Sequence, residues 1–156
     1  MEIRPIRHQE IDALIRELWL PFAREMADLD PFDDLVDEPL ETAREYREAH
    51  FEDPNVETFV VDAEGGLAGY AVVDHQESPP PFDRGSSARV EEVYVAPAFR
   101  GEGLGGTLFD RIESWALERG CEHVSLEVNA RNESAIDLYD HRGFTVRRHR
   151  MDKPLD

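Results

Sequence analysis

With 156 residues, 35 acidic side chains and 17 basic ones, the chain has the length of one domain and a formal net charge of −18. That balance repels phosphate backbones and anionic bilayers, so nucleic-acid binding and membrane-surface roles are set aside as first readings. No apolar run nears the roughly 18 residues that cross a bilayer, and no signal-peptide pattern stands at the start. The single cysteine, Cys121, rules out an internal disulfide and fits a cytoplasmic setting, where it reads as an inert small residue. Sixteen of the basic residues are Arg and only Lys153 is Lys. Such a composition resembles the proteins of salt-loving cytoplasms, where salt screens self-repulsion. Acid is then the background, and an acidic cluster alone is not read as a site.

The elements follow in order. Glu2–Arg7 alternates and reads as a short first strand. Ile11, Leu14, Ile15 and Leu18 recur at helical spacing, and Pro21 ends or kinks that helix. Ala27–Pro39 reads as an acidic loop or a short broken helix, and Thr42–Phe51 as a second helix. Thr58–Asp62 and Leu67–Asp74 are strands joined by the turn Ala63–Gly66. Three consecutive prolines exclude regular structure from the linker His75–Ser87. Ala88–Pro97 is a strand, and Leu104, Leu108, Ile112, Trp115 and Ala116 line a helix that ends near Gly120. His123–Val128 is a strand, Ser134–His141 a short helix, and Phe144–Met151 a final extended segment.

Between the strand Ala88–Pro97 and its following helix lies Arg100-Gly-Glu-Gly-Leu-Gly-Gly106, with four of the chain's ten glycines. Gly101, Gly103 and Gly106 fit the dinucleotide fingerprint G-x-G-x-x-G, but the setting does not. Ala96–Arg100, with a proline, intervenes between the β-rich run and the first glycine, and Glu91 and Glu92 interrupt a strand that should be apolar in a parallel sheet. A nicotinamide or flavin oxidoreductase is therefore a lesser alternative. The logic of phosphate binding survives: glycines admit an anion to successive N–H groups, a helix start adds its dipole, and Arg100 adds charge at the loop mouth.

The stretch Val90–Gly120 resembles the acyl-coenzyme A signature of the GNAT superfamily of N-acetyltransferases. Arg100, Gly103 and Gly105 meet its [RQ]-x-x-G-x-[GA] pattern, with Val95, Pro97 and Gly101 completing the lead-in. A second block, Val128–Phe144, agrees through Asn132, Ala135, Leu138, Tyr139, Gly143 and Phe144. The resemblance is specific over residues 90–144 and looser before that. It implies one domain over residues 1–156, of α/β (α+β) class: a mixed, mostly antiparallel sheet flanked by helices, with a splayed strand pair that forms the coenzyme A slot.

The resemblance also implies roles. Backbone amides from Arg100, Gly101, Glu102, Gly103, Leu104 and Gly105, with Gly106 beside them, would cradle the pyrophosphate of acetyl-coenzyme A, the co-substrate. Val93, Tyr94 and Val95 would line the pantetheine arm, and Asn132, Ser134 and Tyr139 would touch the cofactor. An acceptor ammonium must lose a proton before it attacks, so a carboxylate is needed. Glu91 and Glu92, adjacent on a strand, should face opposite sides; Glu92 is slightly preferred as base. The Val95 N–H would stabilise the oxyanion and the Tyr139 hydroxyl would protonate the leaving thiolate.

The implied reaction is acetyl transfer to a primary amine of a small molecule or protein. The alternative is an acyl-coenzyme A-binding sensor or partner module without catalysis. The six histidines show no metal-ligand spacing, and no metal is expected. A homodimer is one state open to the chain. Asn132-Glu133-Ser134 matches a glycosylation sequon but reads better as a helix N-cap.

Overall fold

The computed structural model describes residues 1–155. Its frame is one five-stranded sheet, in the spatial order β1 (Glu2–Pro5), β2 (Val56–Ala63), β3 (Gly66–Gln76), β4 (Ser87–Val95), β5 (His123–Leu126). Neighbours are antiparallel except β4 and β5, which run parallel. β2 and β3 form the expected hairpin, and Gly65 takes φ +94° in its turn, a conformation that L side chains avoid.

Both faces of the sheet are covered. Phe59, Val61, Ala71, Val73, Ala88 and Val90 point to one face, where they meet Leu108, Phe109, Ile112 and Ala116 of α4 (Leu104–Glu118). The short α5 (Glu133–His141) adds Tyr139 to that layer. Val60, Tyr70, Val72 and Tyr94 point to the other face, against Leu14 and Leu18. These leucines belong to α1 (Ile11–Leu14) and to the helical run that follows it; α3 (Pro39–Glu52) packs outside through Ala43. Period-two alternation in the strands and period-3.6 stripes in the helices thus meet as two apolar layers.

Pro21 does not end the first helix. The chain passes from α1 through a π-helical turn, Ile15–Trp19, into α2 (Leu20–Leu29), with Pro21 in the first turn of α2. Proline lacks the N–H that would close the preceding α-turn and crowds its carbonyl, and the wider turn absorbs both. After α2 the acidic stretch makes one short 3₁₀ turn, Pro31–Asp33. α3 begins at Pro39, earlier than the periodicity suggests, because proline suits a first helical turn.

The last extended segment is corrected more substantially. Phe144 packs into the α4 layer, but residues 145–155 form no strand, so the described sheet has five strands and not six. At the opposite edge β1 is firmly held: Arg4 donates two 2.8 Å hydrogen bonds to the Glu10 carboxylate and one of 3.0 Å to Asp62. No helix among the described residues is long and apolar enough to cross a membrane.

Candidate active site

β4 and β5 pair only from Ser87–His123 to Val90–Leu126. Beyond this point β4 runs on to Val95 while β5 has ended, so the two chains part in a wedge. The Ala96 N–H donates to the Ala68 carbonyl at 2.8 Å, which fixes the alternation along β4. Tyr94 and Glu92 face the β3 ladder with their peptide groups, whereas Val93 and Val95 turn theirs to the open side. The two valines expected to offer backbone hydrogen bonds thus lie on the edge that β5 leaves without a strand, where the Val95 carbonyl is taken by Arg100 Nε. Tyr94 does not join them: its peptide groups face β3 and its buried ring lies against Phe22, on the α2 side.

A β-bulge sits where the wedge opens. Val72 pairs with Glu92, and Val73 with Val90, so Glu91 is the extra residue. Val90 and Val93, three apart, both pack toward α4, and this overturns the expectation that Glu91 and Glu92 face opposite sides. Glu92 lies on the α3 side, accepting from Arg47 Nη2 at 2.7 Å and the Tyr70 hydroxyl at 3.0 Å. Glu91 pairs with Arg89 at 3.5 Å on the same side. Desolvation pushes the Glu91 carboxyl above the usual carboxylate range, against the pull of Arg89. Arg47 and Tyr70 were not singled out in the sequence. Both are buried, and the Nε and Nη1 of Arg47 find no hydrogen-bond partner among the described residues.

Past Val95 the chain makes a 3₁₀ turn, Pro97–Phe99, and enters the glycine loop. Gly101 and Gly103 take φ +84° and +80°, and Gly103 is the N-cap residue of α4. Among the described residues no side chain caps that helix. The first amide with an intrahelical partner is that of Thr107, which donates to Gly103 at 3.1 Å, so the N–H groups of Leu104, Gly105 and Gly106 stay available. Positive-φ glycines, unclaimed amides and the start of a 15-residue helix are the elements that could cradle a phosphate-like anion. Arg100 is not the free charge expected at the loop mouth. Its Nη2 donates to both Glu25 oxygens at 3.0 Å and its Nε to the Val95 carbonyl at 3.0 Å. With Arg100 paired and Glu102 exposed, an anion at this loop would have to rest on the backbone amides.

α5 closes the cradle from the side. A methyl group at Gly105 would lie 3.6 Å from Leu138, and one at Gly106 3.6 Å from Arg142. Tyr139 stacks edge-on against Phe109 and Phe144, with ring centroids 5.5 and 5.8 Å away. Burial raises its hydroxyl pKa above the ordinary tyrosine value. Asn132 is the N-cap of α5, as expected, accepting from the Ala135 N–H at 3.3 Å; Ser134 turns its hydroxyl to the same oxygen at 3.4 Å.

α2 bridges the wedge on its other side. Glu25 holds Arg100 beyond β4, and Asp30 accepts from Asn129 Nδ2 at 2.9 Å beyond β5. Arg131 reinforces this second anchor through the Leu29 carbonyl at 3.2 Å.

The acetyltransferase (GNAT) family model matches residues 13–144. Streptothricin acetyltransferase of Streptomyces lavendulae is 38% identical over 62% of this chain and 48% of its own length. Mycothiol acetyltransferase of Corynebacterium aurimucosum is 33% identical over 69% of this chain and 36% of its own. The chain thus spans half or less of the length of these curated relatives. Among solved structures, a tetramutant of the BH1408 protein from Bacillus halodurans superposes with a TM-score of 0.88 over 99% of this chain and 100% of that one, at 20% identity. Aminoglycoside N-acetyltransferase AAC(6')-Iy, solved in complex with CoA, gives 0.74 over 99% and 93% at 16% identity. At such identities these likenesses speak for the fold.

Proposed function

Since the chain belongs to the acetyltransferase (GNAT) family, we propose that it moves an acetyl group from acetyl-coenzyme A to a primary amine, by direct attack in a ternary complex. One observation carries this reading: the unpaired edge of Val93 and Val95 leads straight into the uncapped start of α4. A strand edge suits the amide-bearing pantetheine arm, and the cradle suits its diphosphate.

The bound co-substrate supplies an activated acetyl thioester. Glu91 takes the proton of the attacking amine. Glu92 is less suited, because Arg47 and Tyr70 hold its carboxylate, whereas the raised pKa of Glu91 makes it the stronger base. The Val95 N–H donates to the acetyl carbonyl oxygen as negative charge gathers there. Tyr139, kept protonated by burial, gives its proton to the departing sulfur.

The acidic stretch Asp28–Glu38, which begins in the last turn of α2, favours a cationic acceptor such as a polyamine, an aminoglycoside-like amine or a protein N-terminus. The excess of acid supports work in concentrated salt inside the cytoplasm, and a melting temperature that climbs from dilute buffer to molar KCl is the expected result. The deciding experiment is a thiol-release screen of amines with acetyl-coenzyme A in molar KCl, beside a calorimetric titration with coenzyme A. Release with at least one amine is expected. Tight binding without release from a broad amine panel leaves the acyl-coenzyme A-binding module, and absence of binding removes both readings.

A further inference from the structure

Arg89 stands one residue before the end of the β4–β5 ladder, opposite Asp74 of β3 and Ser125 of β5. It therefore lies at the closed end of the wedge, and its guanidinium reaches two carboxylates. Nε comes to 3.5 Å from Glu91 Oε1, and Nη2 to 3.5 Å from Oε1 of Glu127, just beyond β5. Both distances exceed those of a well-formed N–H···O hydrogen bond, and all three side chains are partly exposed. The neighbouring carboxylate is held differently. Glu92 takes a 2.7 Å bond from the buried Arg47 and a second from Tyr70, so it is not free to change partners. Glu91 is held loosely enough to do so.

The surroundings of Glu91 make that contact matter. Asp74 on β3, Glu92 on β4 and Glu127 beyond β5 all oppose its ionisation, as burial does. From α3 come Tyr46, a phenol with His50 stacked on it at 4.2 Å, and Arg47, whose Nη2 is already on Glu92. Among the described residues Arg89 is the cation that favours the Glu91 carboxylate. On the reading of Glu91 as the base, we propose that Arg89 is its positioning residue: it holds the carboxylate ionised in the empty site, yields it to the acceptor ammonium, and falls back on Glu127. One cation replaces another, so no charge is left unpaired. The ammonium then passes one N–H proton to Glu91, and the neutral amine attacks the thioester carbonyl. The returning guanidinium favours loss of that proton from Glu91 to water, which resets the site.

The test uses the full chain, an amine that releases thiol in the screen above, and the lowest KCl that keeps the chain folded, because salt screens an exposed pair. The pH profile of kcat/KM is followed in the unaltered chain, Arg89→Gln, Arg89→Lys and Glu91→Gln. Arg89→Gln removes the charge that favours the carboxylate, so the acidic limb should move to higher pH; Arg89→Lys should restore it. Above the limb, the KM of the amine should fall about threefold in Arg89→Gln, because no resident cation has to be displaced. A merely structural arginine would move neither. A limb that stays in place in Arg89→Gln, or an amine KM that rises there, overturns the proposal and leaves Glu91 as the base. Failure of the reading beneath it looks different: no amine releases thiol, or Glu91→Gln keeps the limb, and either result removes both the base and its counter-ion.

Discussion

The two halves of β4 share a strand but live in different surroundings. From Ser87 to Val90 it is paired on both edges, with β3 and β5, and Ala88 is completely buried. From Glu92 to Val95 it keeps only β3. The bulge at Glu91 marks the change. The first half therefore serves stability. In the second the Val95 carbonyl is taken by Arg100, and the peptide groups of Val93 with the Val95 N–H are left to water or a ligand; holding such groups on a rigid sheet is how a fold presents a binding edge.

Proline substitution tests that contrast most severely. Ala88→Pro strikes a residue flanked on both sides, and should cost about 3 kcal/mol or more, seen as loss of the folded signal in urea. Val95→Pro removes an N–H that the β3 ladder does not use. It should keep a cooperative melt while kcat falls about 10²- to 10³-fold. If Val95→Pro unfolds the protein like Ala88→Pro, the open edge is structural and the contrast fails.

The paired glutamates sharpen it next. Glu91→Gln should lower kcat by about 10²-fold and remove the acidic limb of the pH profile, with little change in melting. That limb should lie above the ordinary glutamate pKa, since burial raises the carboxyl of Glu91. Glu92→Gln leaves the buried guanidinium of Arg47 without a counter-charge and should cost about 2 kcal/mol of stability. Equal effects of the two substitutions on melting would break the division of labour at the bulge.

A smaller effect is expected at the loop. Gly103→Ala forces a Cβ into the left-handed region, at about 1–2 kcal/mol, and should weaken coenzyme A about tenfold by calorimetry. Smallest is the far edge of the sheet, where Arg4 lowers the Glu10 carboxyl from 4.5 to about 2. A depressed carboxylate stabilises fully above its unfolded pKa and loses that contribution as pH falls through the folded one. Acid melting should therefore steepen between pH 4.5 and 2. Glu10→Gln, which keeps an acceptor but not the charge, should cost about 1 kcal/mol at neutral pH and flatten that response.

The sequence carried the loop well, because glycine spacing after a strand reports backbone directly: Gly101 and Gly103 do adopt positive φ, and the helix does begin at Leu104. Asn132 was readable as a cap for the same local reason. The bulge had a signal too, since Val90 and Val93 are three apart in a strand whose period is two, but two adjacent glutamates disguised it as ordinary alternation. Arg47 carried none. An arginine within Tyr-Arg-Glu-Ala-His on a helix reads as solvated, and its partner Glu92 lies 45 residues away. The pairing of Arg100 with Glu25 spans 75 residues and was equally invisible, because ion pairs depend on which helix face meets which loop. Phe144 and Val146 start the last segment with a strand-like alternation that Arg147–Arg150 do not continue, and pairing also needs a partner edge that pattern alone cannot supply.

The two anchors of α2 have a thermodynamic consequence. With Glu25 fastened beyond one arm of the wedge and Asp30 beyond the other, its width is set by the protein's own side chains. A ligand entering a gap propped in this way spends little of its affinity on rearranging the backbone. Association should then run near the rate of simple encounter, and severing one prop should show first in how slowly the cofactor arrives and only later in how tightly it stays.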